Sequence, residues 1–133
     1  MDSYLKVEFL YDHRCSQCSF VGGTEKKFTI INNPQILVLH LSRFDMGLNK
    51  IDTFVELTTH MPTEYFGDGN GPQYSYRLTG MIVHKGRSIA SGHYIAYVII
   101  DGSWYEATDR TVTEVSWQTM RKLQAYMLFY ERL

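Results

Sequence analysis

Apolar positions along this chain fall in short runs divided by turn-forming residues. The clearest run, Gln35-Ile36-Leu37-Val38-Leu39-His40-Leu41, follows directly on the turn signal Asn32-Asn33-Pro34. Its length and branched side chains predict a strand covered on both faces. Similar patterns predict strands over Tyr74 to Val83, Tyr94 to Ile100, Ser103 to Ala107 and Ala125 to Tyr130. Gly67-Asp68-Gly69-Asn70-Gly71-Pro72 reads as a surface loop within one domain. A single helix is predicted near the end. Ser116 suits its N-cap, Val115 and Met120 suit a hydrophobic staple, and Trp117, Met120 and Leu123 fall on one face. Many strands with one or two short helices predict an α+β, mainly antiparallel domain. No internal repeat or low-complexity stretch interrupts residues 1–133.

The sharpest local signal is Asp101-Gly102 between Ile100 and Ser103. Asp-Gly joining two apolar runs favours a two-residue type I′ hairpin turn, with Ile100 opposite Ser103. Counting back along both strands puts His93 opposite Arg110. Thr108 then lies diagonally across from His93 on the same face, and Asp109 opposite Tyr94 on the other. A one-residue bulge near the strand end would exchange the places of Thr108 and Asp109. A histidine acting as a general base needs its second ring nitrogen oriented by an acceptor. A carboxylate orients it and also stabilises the imidazolium; a hydroxyl does only the former. The plain alternative is a strand histidine bonded to a neighbour, with no chemistry.

Composition adds to this picture in two places. Aromatic residues make up 14% of the chain, which suits half-buried pleated surfaces and reinforces the sheet. Apolar residues at 44% and charged residues at 20% are enough for a buried core. Thirteen Lys and Arg against 14 Asp and Glu leave a net charge of -1, without the electrostatic footprint of a non-specific nucleic-acid binder. No apolar run approaches the ~20 residues that span a bilayer. Met1 to Asp12 mixes Asp2, Lys6 and Glu8 among its apolar residues, unlike a signal peptide. Two cysteines do not make a secreted disulfide framework, so a reducing compartment, cytoplasm or nucleus, is expected. Neither a nucleic acid nor a membrane is expected as a partner.

Several segments stand in a recognisable order: Leu37-Val38-Leu39-His40-Leu41-Ser42-Arg43-Phe44; Gly80-Met81-Ile82-Val83-His84-Lys85-Gly86; and Ser91-Gly92-His93-Tyr94-Ile95-Ala96-Tyr97-Val98. Trp104-Tyr105-Glu106 follows, with Val112 eight residues after the Trp, and then Gln124-Ala125-Tyr126-Met127-Leu128-Phe129-Tyr130-Glu131-Arg132. Together they resemble the strand motifs and histidine box of the ubiquitin-specific proteases, from about Tyr11 to the end of the chain. The resemblance implies the C-terminal part of a papain-like deubiquitinase domain. Residues 1–33 would be the end of its zinc-ribbon fingers and 34–133 its palm sheet. Such enzymes are cysteine proteases that cut the isopeptide bond after the C-terminal glycine of ubiquitin. On that resemblance His93 matches the general base, Gly92 and Tyr94 border the ubiquitin tail, and Lys85 to Ser91 forms a loop beside it.

The departures from the family pattern are equally specific. The third member of the triad, usually Asp or Asn, stands four positions after the Trp, and here that position is Thr108. The carboxylate common beside it is present as Asp109. The box resembling Gly-Asn-Thr-Cys that carries the nucleophile is unmatched, as is the helical thumb it belongs to. The resemblance therefore implies a chain inactive by itself, with its thiol supplied by a Cys-bearing N-terminal segment of the same protease. A catalytically dead remnant that still holds ubiquitin or a ubiquitinated protein is the alternative; a truncated product with little activity of any kind is the third reading.

Cys15-Ser16-Gln17-Cys18 is a Cys-x-x-Cys knuckle. A structural zinc takes four ligands, commonly two such pairs, so Cys15 and Cys18 make half a site, with His13 as a third candidate donor. A redox pair or two inert surface thiols are the other readings. His40 is expected to be a satisfied core histidine. His84 is expected to begin the loop before His93, either shaping the site or serving structure alone. Lys26-Lys27 reads as a solvated pair.

Overall fold

The structure is a computed structural model that describes residues 6–28, 30, 32–61 and 74–133. The predicted loop at Gly67 to Pro72 lies outside the described residues. The described residues up to Asn33, with Tyr74, form one unit; Pro34–Met61 and Ser75–Leu133 form another.

The first unit is a two-stranded antiparallel hairpin of β1 (Glu8–Arg14) and β2 (Val21–Lys26). Its strands are mostly exposed, and a register shift lies between Leu10 and His13. Polar residues interrupt the apolar ones here, which is why no strand pattern shows in the sequence.

The second unit is built on a seven-stranded sheet. Its strands are β3 (Ile36–His40), β4 (His60–Met61), β5 (Tyr76–Ser88), β6 (Ser91–Ile100), β7 (Ser103–Ala107), β8 (Val112–Val115) and β9 (Met127–Arg132). The order is β3-β9-β5-β6-β7-β8, with β4 also paired to β5, and every pairing is antiparallel. The five predicted strands are present. Central β5 runs on to Ser88, well past the predicted Val83, and β6 starts at Ser91. The expected loop over Lys85 to Ser91 is therefore an extension of the β5–β6 hairpin, which leaves only Ile89 and Ala90 between the two strands.

One side of the sheet carries the core: Tyr76, Leu78, Met81, Val83, Ile95, Tyr97, Leu128 and Tyr130 are buried there. Along β5 the buried set changes from even to odd positions between Leu78 and Met81. The register shift against β9 between Leu78 and Gly80 accounts for this, since one extra residue turns every later side chain over.

Strand β3 departs from expectation. It lies at the sheet edge, and Ile36 and Val38 are 46% and 44% exposed, so one of its faces is open. His40 follows the same alternation and is exposed, not a core histidine; its ring meets Tyr126 edge-on at 4.7 Å.

Among the described residues one short helix, α1 (Trp117–Met120), is capped by Ser116, whose Oγ accepts the Thr119 N–H at 3.3 Å. Its last residue, Met120, is fully buried. Arg43, 4% exposed, acts as a strut between loops. It donates from Nε to the Ala125 carbonyl at 2.9 Å and from Nη1 to the Thr53 carbonyl. Among the described residues no helix is long and apolar enough to cross a membrane.

Candidate functional site

The Asp101-Gly102 turn has the geometry its residues dictate. Both residues hold positive φ, 49° and 85°, as a type I′ turn requires. The pairing predicted from it holds from Ile100↔Ser103 as far as Ala96↔Ala107. There β7 leaves the ladder and turns into β8.

That turn is drawn closed by Thr108. Its N–H donates to the Thr111 carbonyl at 2.9 Å, and its hydroxyl shares a 2.7 Å bond with the Thr111 hydroxyl. Asp109 is carried to the tip, where its Oδ2 lies 3.9 Å from Nδ1 of His93. The structure thus brings together His93 and Asp109, the arrangement that a departure from regular pairing was expected to give. The hydroxyl of Thr108 is turned to its own hairpin. Sequence counting placed Thr108 diagonally across from His93 because it carried strand geometry past the point where the strand stops.

His93 and Asp109 are both open to solvent, with side chains 47% and 81% exposed. At 3.9 Å they form an ion pair when His93 is protonated, and stand beyond direct hydrogen-bond length. Such exposed pairs contribute roughly 0–1 kcal/mol to stability. The arrangement can orient an imidazole and balance a positive charge on it.

Behind His93 the packing is tight. His84, in the interior of β5 and directly opposite Tyr94 of β6, is 5% exposed. Its ring lies 4.8 Å from Tyr94, 5.7 Å from Phe44 and 5.9 Å from Tyr126, centroid to centroid. Burial, and then the nearby charge of Lys50, holds its imidazole below the usual histidine range. Lys50 Nζ donates to the carbonyls of His84 and Gly86 at 2.8 and 2.9 Å. Tyr94 presents a half-exposed ring beside this cluster. Gly92, one residue before His93, lies against the imidazole of His84. Sequence reasoning left His84 open and missed Lys50 altogether; two glycines, Gly86 and Gly92, flanking a short turn were the available sign of close approach.

The two cysteines belong to the first unit. Cys15 accepts the Ser19 N–H on its carbonyl at 3.0 Å and donates its own N–H to Phe20 at 2.9 Å, closing a tight knuckle in which Ser19 takes φ 59°. Backbone N–H groups of Cys18 and Gln17 and a side-chain bond with Cys18 hold the Cys15 thiol below the usual range. Among the described residues no three His, Cys, Asp or Glu side chains gather to hold a metal ion, so His13 does not complete a trio. The donors present fit half of a tetrahedral zinc site.

Comparison with known proteins places this geometry. The profile of the family described as ubiquitin carboxyl-terminal hydrolase matches residues 2–130. The chain is 34% identical to ubiquitin carboxyl-terminal hydrolase 8 of Saccharomyces cerevisiae over 98% of its own length, and 36% identical to ubiquitin carboxyl-terminal hydrolase 3 of Homo sapiens over 89%. It spans 31% and 24% of the lengths of those relatives. A solved SAGA DUB module of Ubp8 with Sgf11, Sus1 and Sgf73, bound to monoubiquitin, superimposes with a TM-score of 0.84 at 34% identity. The match covers 99% of this chain and 31% of that one; the same module bound to ubiquitin aldehyde also gives 0.84. The chain belongs to the ubiquitin carboxyl-terminal hydrolase family.

Proposed function

We propose that this chain is the base-bearing portion of a cysteine-type deubiquitinase. The single observation that carries the reading is the approach of Asp109 to His93 at the mouths of two adjoining hairpins, in a chain of this family. His93 takes the proton of a cysteine thiol, and the thiolate attacks the carbonyl of the isopeptide bond after the last glycine of ubiquitin. Asp109 orients the ring and balances the imidazolium that forms. The imidazolium then gives its proton to the departing lysine amine, leaving a thioester that water cleaves with His93 again as base. The 3.9 Å gap closes when substrate excludes water from the pair, as catalytic contacts in free enzymes commonly do.

The chain's own thiols, Cys15 and Cys18, lie in the other unit, and neither is the nucleophile. The attacking thiol comes from a Cys-bearing segment of the same protease. Gly92 and Tyr94 border the ubiquitin tail. Cys15 and Cys18 would supply two of the four ligands of a structural zinc, which would cross-link the loops that hold it.

Two measurements test this reading. The 133-residue chain is expected to leave a fluorogenic ubiquitin-tail substrate uncut. Turnover that survives Cys15→Ser with Cys18→Ser but vanishes in His93→Ala would overturn the assignment of the thiol. Titration with the chain should shift resonances of labelled ubiquitin near its C-terminal tail, and an unchanged spectrum at high concentration would remove the substrate assignment. Binding that persists when a thiol-bearing segment restores no turnover would leave a ubiquitin-binding remnant.

A further inference from the structure

The β5–β6 ladder is regular up to Lys85↔His93, and the next recorded pair is Ser88↔Ser91. Three steps on one strand meet two on the other, so Gly92 faces a bulge. A side chain at Gly92 has no room: its Cβ would stand 2.0 Å from Nε2 of His84 and 2.8 Å from both Cδ2 and Cε1. The imidazole occupies the space that the missing Cβ leaves. It has nowhere to retreat, because Phe44, Tyr94 and Tyr126 surround it and Lys50 pins the carbonyls of His84 and Gly86. Gly86 is held equally close, since a Cβ there would lie 2.6 Å from the Ser91 carbonyl oxygen and 2.9 Å from the Gly92 Cα.

We propose that His84 is the positioning residue for His93: its ring, seated against Gly92, determines where β6 begins and thereby where the His93 imidazole stands relative to Asp109. The inference rests on the reading of His93 as the base, and it adds the residue that holds that base in place. Nδ1 of His84 is buried without a hydrogen-bond partner, which fits a ring retained for its shape and neutrality. Burial and the Lys50 charge favour that neutral form. His84 touches no reacting atom. It acts through one backbone position.

The test uses the full chain and needs neither ubiquitin nor turnover. In the unsubstituted protein, Asp109→Asn should move the ring-proton resonances of His93, because the two side chains face each other. In a His84→Ala background, and in a Gly92→Ala background, the same substitution should no longer move them, while resonances of the core residues Met81 and Tyr97 stay in place. The double variant, His84→Ala with Gly92→Ala, exchanges a large group for a small one across the contact and should recover at least half of the response. Full response in folded His84→Ala, or a double variant no better than the worse single one, overturns the proposal. So does the absence of any response in the unsubstituted protein. Should His84→Ala not fold, His84→Asn removes only the outer edge of the ring, and the same loss of response is expected. A lost response in a chain that leaves the ubiquitin spectrum unchanged keeps the positioning and removes the function it serves.

Discussion

Two histidines nine residues apart in sequence, His84 and His93, meet opposite surroundings across one β-ladder. His93 is half exposed and faces a carboxylate; His84 is buried among aromatic rings with a lysine close by. The chemistry assigned to Asp109 depends on its charge. In the protease reconstituted with its thiol-bearing segment, Asp109→Asn should lower kcat/KM by about a hundredfold or more. Thr108→Ala removes a turn contact from Thr111 and should cost only a few-fold; equal losses would return Thr108 to the triad. For His84 the consequence is a pH dependence of stability. The unfolded chain protonates this ring near pH 6.5, whereas the native ring resists protonation until a lower pH. Between those values the unfolded state binds more protons, so stability present above about pH 6.5 is lost as pH falls toward the lowered native value. The urea midpoint should drop across that window, and the drop should be smaller in His84→Gln, whose side chain does not titrate.

At the scale of the element, the β6–β7 hairpin shows how local chemistry sets register. Gly102 holds φ 85°, where a Cβ is strained although no atom stands in its way. Gly102→Ala should therefore destabilise the chain by about 1 kcal/mol through backbone strain alone. Farther along the same hairpin, the buried Tyr97 donates its hydroxyl to Glu106 Oε2 at 2.6 Å, across a directly paired position. Burial and the bond to Glu106 push the Tyr97 hydroxyl well above the usual tyrosine range, so it remains a donor at any working pH. Tyr97→Phe keeps the ring and removes the bond; about 1–3 kcal/mol should be lost in urea unfolding. A loss no larger than the error of the midpoint would mean that Glu106 finds another donor.

Across the whole molecule, one side of the second unit's sheet carries the buried core, and the other is open over part of its area among the described residues. Ile36, Ile82, Val98 and Phe129 line a shallow apolar depression of about 420 Å³ on the other side, and Val38 and Ile100 extend the exposed surface. An open apolar face ending in an edge strand favours association. In sedimentation velocity the chain should self-associate as concentration rises, and Ile36→Lys with Val38→Lys should suppress this without altering the core. Persistent association in that variant would place the contact elsewhere, for instance on the exposed Phe9, Tyr11 and Phe20 of the first unit.

Five of the strands, the type I′ turn and the Ser116 cap were readable from the sequence. Each depends on neighbours within a few positions: a period of two, a pair of residues that accept positive φ, a side-chain oxygen ahead of a helix. The mostly polar β1 and β2, the two-residue β4 and the four-residue β8 were not readable, because strands that bury little carry little pattern. Three matters were decided only in three dimensions. The open face of β3 belongs to a side of the sheet left open there, continuous with Ile82, Val98 and Phe129, which an apolar run does not record. The meeting of Asp109 with His93 follows from the point where β7 leaves its ladder, set by the Thr108–Thr111 turn. The burial of His84 needs Phe44, Lys50 and Tyr126, which come from two distant segments of the chain and touch it only when the sheet is assembled. Local stereochemistry names the elements, whereas partnership between distant side chains exists only once the chain has paid the entropy of bringing them together.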